Sequence, residues 1–211
     1  MAITTKAEGD FHIDAESNDL ARRRQSVFDG SWAVVRQVHG SDVVEANPDE
    51  SPVADGVFTN VVGQVVAVQG ADCAPIGFVT SEGPIGVVHA GWRGLAAGVV
   101  EQMAQALAER NAVIDRIIVG PTIGVGCYEF GTDDLDSVAA LLGDEVRGET
   151  REAKPALDLA AAIRATLERL DLGPVEFLAG CTACESDDFY SHRARSEGHR
   201  HAMAMRIQGV D

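Results

Sequence analysis

The stretch GVVHAGWRGLAAGVVEQM, residues Gly86 to Met103, passes from a β-branched apolar run into helical spacing, with a histidine at the changeover. The run Ile85 to Ala90 is short and bounded by Gly83-Pro84, which predicts a strand buried on both faces. From Leu95 the apolar residues Leu95, Val99, Val100, Met103 and Leu107 recur at helical spacing, with Glu109-Arg110-Asn111 closing the helix. His89 therefore stands at a strand's end. Between the two elements, Gly91-Trp92-Arg93-Gly94 lets backbone approach a ligand closely, and a helix start offers unpaired N–H groups. The junction reads as an anion-binding site.

Composition limits what such a site serves. The chain has 211 residues, 45% of them hydrophobic, enough for one sizeable core, so residues 1–211 are expected to form a single domain. A formal net charge of −16 repels phosphate backbones and argues against a nucleic-acid partner. No apolar stretch reaches membrane-spanning length, and MAITTKAEGDF lacks the apolar core of a signal peptide, so a cytoplasmic location with no membrane partner is expected. Four cysteines, Cys73, Cys127, Cys181 and Cys184, are too few for a disulfide framework in a chain this long. As thiols they are free to act as ligands or nucleophiles.

Around the opening stretch, the residues from Glu16 to Phe28 read as a helix, and SWAVVRQV, ADGVFTN, QVVAVQG and PIGFVT read as strands. Beyond it come a strand in RIIVGP, helices over about Thr132 to Leu142 and Ala156 to Leu170, and a last strand in VEFLAG. Strands accumulate before helices appear, which predicts an α/β fold with a mixed sheet covered by helices rather than a strictly alternating parallel one.

Three segments, RQVHGSD, VQGADCAP and GVVHAGW, each set one good zinc ligand beside a glycine or small residue near a strand end. His39, Cys73 and His89 would form a three-ligand site with its fourth position open, the arrangement of catalytic zinc. The spacing is too wide to specify a site by itself. A small buried thiol and two hydrogen-bonded strand-end histidines account for the same residues.

Taken in order, RQVHGSDVV, ADGVFTN, VQGADCAPIGF, VVHAGWRGLAAGVVE, VGPTIGVGCYEFG and FYSHR resemble the successive motifs of the YfiH-like family. That family is also called the multicopper polyphenol oxidase or laccase-domain family and, more recently, a purine nucleoside phosphorylase family. The resemblance runs from about Trp32 to the C-terminus. It implies a mixed α/β sandwich with zinc held by His39, Cys73 and His89. It further implies phosphorolysis of adenosine, inosine, guanosine and methylthioadenosine, with hydrolytic deamination of adenosine. The chain departs from the family at ITTKAEGDF, where Lys6 replaces an arginine without offering its planar fork, and at FYSHRAR, where His192 replaces a tyrosine beside Arg193.

The residues suit this chemistry. Zinc activates water near neutral pH for attack on the purine ring. Asp72, beside Cys73, is a candidate to support the metal or move a proton, or else a plain turn residue. Phosphorolysis needs a held phosphate, and Arg93 and Gly94 at the helix start, joined by Arg193, are candidates to bind substrate. Trp92 and Tyr128-Glu129 are candidates to line the site. Cys181-Thr-Ala-Cys184 has ligand spacing but no second pair to complete it, and reads as structural thiols. Six histidines are too few for a multicopper centre if two serve zinc. Other readings stay open: a cysteine hydrolase with Cys73 as nucleophile and His89 or His39 as base, a non-catalytic metal-containing binding protein, or an enzyme editing a cell-wall precursor.

Overall fold

In the computed structural model, which describes residues 1–209, the element order begins with β1 (Ala2–Ile3), α1 (Ser17–Val27), β2 (Trp32–Val34) and β3 (Val43–Glu45). The strand-rich middle follows as β4 (Gly56–Thr59), β5 (Val65–Gly70), β6 (Ala74–Thr80) and β7 (Ile85–Ala90). Then come α2 (Trp92–Ala97), α3 (Val99–Ala108), β8 (Ile114–Val119), α4 (Thr132–Leu142), β9 (Arg147–Glu149) and β10 (Pro155–Leu157). The chain closes with α5 (Leu159–Leu170), β11 (Val175–Phe177), α6 (His192–Arg195) and β12 (His201–Arg206).

Ten of these strands make two mixed sheets, one ordered β11-β8-β6-β7-β4-β3 and the other β1-β12-β5-β2. Side chains alternate across each strand, and that alternation divides the core. On β7, Val88 and Ala90 face the helices, where they meet Leu95, Val99, Met103 and Leu107, whereas Ile85 and Val87 face the second sheet. On β5, Val66 and Val68 face the first sheet, while Val65 and Ala67 turn outward to Leu20 of α1 and to Phe11. The layers are thus helix, sheet, sheet and helices, which is the mixed α/β arrangement expected. Helix α3 packs so closely on β7 that a Cβ at Gly86 would come within 2.4 Å of the Met103 Sδ. Full burial of a side chain such as Met103 contributes about 1.5–3 kcal/mol.

Several boundaries differ from expectation, each for a local reason. The helix predicted from Leu95 begins at Trp92 and breaks at Gly98, whose φ of 91° is left-handed and divides α2 from α3. The helix predicted from Ala156 begins at Leu159, because Pro155–Leu157 pairs with Arg147–Glu149 and the Asp158 carboxylate caps the Ala161 N–H at 2.9 Å. The segment His201–Arg206, not predicted as a strand, pairs with both β1 and β5. No helix among the described residues is long and apolar enough to cross a membrane.

Candidate metal centre and pocket

Antiparallel pairing brings three strand ends to one point. Strand β7 runs antiparallel to both β4 and β6, with Val88 opposite Gly56 and Ala90 opposite Ala74. The end of β7 therefore lies beside the starts of the other two. His89 sits at that end, Cys73 immediately precedes β6, and Asp55 immediately precedes β4. The loop between β2 and β3 adds His39, whose φ of 62° is left-handed.

Asp55 organises this corner, and it carried no role in the sequence reading. Its buried carboxylate accepts the backbone N–H groups of Val38, His39 and Gly40 at 3.1, 3.0 and 2.7 Å, fixing the loop that presents His39. It also lies 2.9 Å from His89 Nδ1, which leaves Nε2 as the open ring nitrogen. The signal was present in ADGVFTN, an acidic residue leading a fully buried strand. Burial opposes ionisation of Asp55, but the bonds from His89, Gly40 and Val38 outweigh it and hold the carboxyl below its ordinary value.

His39, Cys73 and His89 each turn one donor atom inward, and these atoms lie within 4.8 Å of one another. The rings of His39 and His89 meet edge to face with centroids 4.9 Å apart. Burial would raise the Cys73 thiol, yet the charge of His89 and hydrogen bonds from both histidines bring it down to about 6. His89 is opposed by burial and raised by Cys73 and Asp55 to about 9. Two imidazoles and an easily ionised thiol, with one imidazole oriented by a buried carboxylate, are a donor set able to hold a metal ion. Gly91 completes the packing: a Cβ there would stand 2.7 Å from the Cys73 Sγ and 3.2 Å from a His39 ring carbon.

Above this cluster opens a cavity of about 500 Å³. Arg36, Arg93, Arg193 and Arg200 line it, a concentration of cations in a chain of net charge −16. Arg93 stacks over Trp92 at 4.4 Å, and Arg193 stands over the Tyr128 ring at 4.7 Å while donating to the Glu129 carbonyl at 2.8 Å. Trp92, Tyr128 and His192 line the same cavity. Gly94 is buried behind it, where a Cβ would meet the Gly40 carbonyl at 3.2 Å. Helix α2 is six residues long, less than about two turns, so cationic side chains rather than its N–H groups dominate the anion-attracting character of the pocket.

Asp72 has a positive φ of 100°, and both of its carboxylate oxygens are engaged. One accepts the Thr182 hydroxyl at 2.7 Å and the other the Arg193 N–H at 2.6 Å. It clasps the start of α6 to the residues preceding β6, and so sets where Arg193 stands. Lys6 lies outside the cavity lining; its ammonium is 2.6 Å from Glu197.

Residues 5–208 match the family described as multi-copper polyphenol oxidoreductase laccase. The chain is 30% identical to the purine nucleoside phosphorylase YlmD of Geobacillus stearothermophilus over 86% of its own length and 76% of that protein's. It is 37% identical to a purine nucleoside phosphorylase of Xylella fastidiosa over 75% of its own length, and spans 65% of that relative. The crystal structure of YlmD from Geobacillus stearothermophilus superposes with a TM-score of 0.79 at 28% identity, covering 94% of this chain and 83% of that one. With its layered fold and nearly its whole length matched, the chain belongs to the multi-copper polyphenol oxidoreductase laccase family, the family of YfiH and YlmD.

Proposed function

We propose that this chain is a zinc-dependent purine nucleoside phosphorylase that also deaminates adenosine, acting in the cytoplasm on free nucleosides and phosphate. The observation that carries the reading is a single cavity joining the His39, Cys73 and His89 donors to a rim of arginines and two aromatic rings. Relatives named purine nucleoside phosphorylase support the reaction class.

In phosphorolysis an oxygen of hydrogen phosphate bonds to C1′ of the ribose as the bond from C1′ to the purine breaks, and the base leaves carrying the proton that the hydrogen phosphate gives up. Arg93, with Arg193 beside it, would hold the phosphate through charge-assisted hydrogen bonds. Trp92 and Tyr128 offer ring surfaces for the purine. Asp72 acts indirectly, by fixing the Arg193 backbone. Asp55 keeps His89 in one orientation and tautomer. When bound by His39, Cys73 and His89, zinc would supply Lewis acidity to both reactions, polarising a substrate oxygen in phosphorolysis and activating water for hydrolytic attack at C6 of adenosine.

Adenosine separates the two reactions. Phosphorolysis gives adenine and ribose 1-phosphate only when phosphate is present, whereas deamination gives inosine and ammonia without it. Both products are expected, and adenine release indifferent to phosphate would remove phosphorolysis from the reading. The aligned Asp55, His89 and Cys73 favour one other reading, a cysteine nucleophile activated by His89. Metal dependence distinguishes the two. A copper oxidase is disfavoured by ligand supply, since among the described residues the donor groupings that include histidine use only His39 and His89.

A further inference from the structure

Next to Tyr128 along the chain a second group of donors converges. The Sγ atoms of Cys127, Cys181 and Cys184 lie within 4.8 Å of one another, with Cys127 and Cys184 at 3.3 Å. CxxC spacing alone left Cys181 and Cys184 without a partner. The fold supplies Cys127 from 54 positions upstream of Cys181, at the end of the short 3-10 turn Val125–Cys127. Thr122 and Cys181 are bridged in parallel, and Thr182 donates its N–H to the Thr122 carbonyl at 3.2 Å, so the two loops are held in register.

The local backbone is shaped around the sulfurs. The Cys184 and Glu185 N–H groups both turn back to the Cys181 carbonyl, at 3.0 and 2.9 Å, folding the CxxC segment into a tight loop. Gly124 donates its N–H to the Cys181 Sγ at 3.2 Å, and Arg151 donates to the Cys184 Sγ at 3.0 Å. Thiols that serve as packing are enclosed among apolar neighbours. These three face one another: Cys184 is exposed, Cys127 and Cys181 are only partly buried although Cys127 also rests against the core, and two of the sulfurs receive N–H donors that favour the thiolate. Three sulfur donors in one place select soft, thiophilic cations.

We propose that Cys127, Cys181 and Cys184 form a second metal site, separate from the His39, Cys73 and His89 cluster, that takes a thiophilic d¹⁰ cation of the zinc class. Its position gives it a bracing role. The ion would tie the loop that ends in Tyr128, a lining residue of the pocket, to the loop carrying Thr182, which bonds to Asp72. None of the three cysteines lines the pocket, and the inference does not rest on the proposed reaction.

The test uses the full chain, stripped of metal under reducing conditions and titrated with Co²⁺ alone, whose thiolate charge-transfer absorption grows with the number of sulfur ligands. Wild type should take up roughly two ions per chain and the Cys127→Ser/Cys184→Ser variant roughly one, with the weaker absorption of a single-thiolate site. The Cys73→Ser/His89→Ala variant should also bind roughly one, with the stronger absorption of three thiolates. As a second measurement, excess Zn²⁺ should raise the melting temperature of wild type further than that of Cys184→Ser, a change at an exposed position. Uptake of a single ion by wild type that is lost in Cys73→Ser/His89→Ala would overturn the proposal. So would a second ion retained after Cys127→Ser/Cys184→Ser, or a Cys127–Cys184 disulfide in place of bound metal.

Discussion

The floor of the pocket and its rim are built in opposite ways. The floor is made of strand ends: Asp55 and His89 are buried, and the Asp55 carboxylate is fully used by three backbone N–H groups and one imidazole. The rim is made of loops and short helices, and Arg93 and Arg193, its arginines nearest the aromatic rings, are exposed. A donor cluster fixed from behind by a buried carboxylate is preorganised before any ligand arrives, whereas the exposed guanidinium groups are positioned by ring stacking and, for Arg193, a bond to the Glu129 carbonyl. The difference teaches that metal retention should be sensitive to residues that never touch the metal. Phosphate handling should be sensitive mainly to the arginines themselves.

The largest expected effect breaks the floor. Asp55→Ala leaves the Val38, His39 and Gly40 N–H groups and the His89 ring without their shared acceptor. It should cost about 3–5 kcal/mol of stability, measured by denaturant unfolding. Asp55→Asn, closer in size, should weaken zinc binding by roughly 10–100-fold in a competition titration. Wild-type zinc affinity in Asp55→Asn would mean that the carboxylate holds the loop and not the ligand.

A smaller effect tests the rim. Arg93→Ala should lower phosphate-dependent adenine release by roughly tenfold or more, the loss of a charge-assisted hydrogen bond of about 1.5–3 kcal/mol. Zinc content and much of the deamination should survive. Equal loss of both reactions with zinc retained would make Arg93 part of the floor's architecture and dissolve the contrast.

The smallest effect concerns the outer support of the rim, where Glu197 joins Lys6 at 2.6 Å and Arg195 at 3.0 Å and accepts the Ser191 N–H at 2.7 Å. Burial works against its charge, but Lys6, the Ser191 N–H and Arg195 outweigh it and hold the carboxyl below its ordinary value. Glu197 therefore stabilises the fold above the unfolded glutamate pKa, and the contribution fades as pH falls through the lower folded value. The melting-temperature gap between wild type and Glu197→Gln should be open at pH 7 and narrow on acidification. A gap that widens on acidification would contradict the assignment.

Legibility followed the same division. The Ile85–Ala90 strand was readable to the residue because a short β-branched run between Gly-Pro and Gly admits few alternatives. The donors His39, Cys73 and His89 were readable through the family motifs, since their sequence separation carries no ligand spacing. Asp55 was not, because an acidic residue between Ala54 and Gly56 looks like a turn until β4 is laid against β7. The strand His201–Arg206 escaped because alanine and methionine carry little β propensity; its pairing on both sides fixes it. Arg36 and Arg200 reach the rim from remote parts of the chain, and no local pattern announces such a meeting.

The measurement that tests the account most directly is removal and return of the metal with adenosine and phosphate present. Protein stripped by a chelator should lose adenine release, and roughly one equivalent of zinc per chain bound by His39, Cys73 and His89 should restore it. In Cys127→Ser/Cys184→Ser the same restoration should occur, because the second thiol cluster stands outside the pocket. Full phosphate-dependent turnover by metal-free protein, abolished by Cys73→Ser, would contradict the account and make Cys73 a nucleophile rather than a ligand.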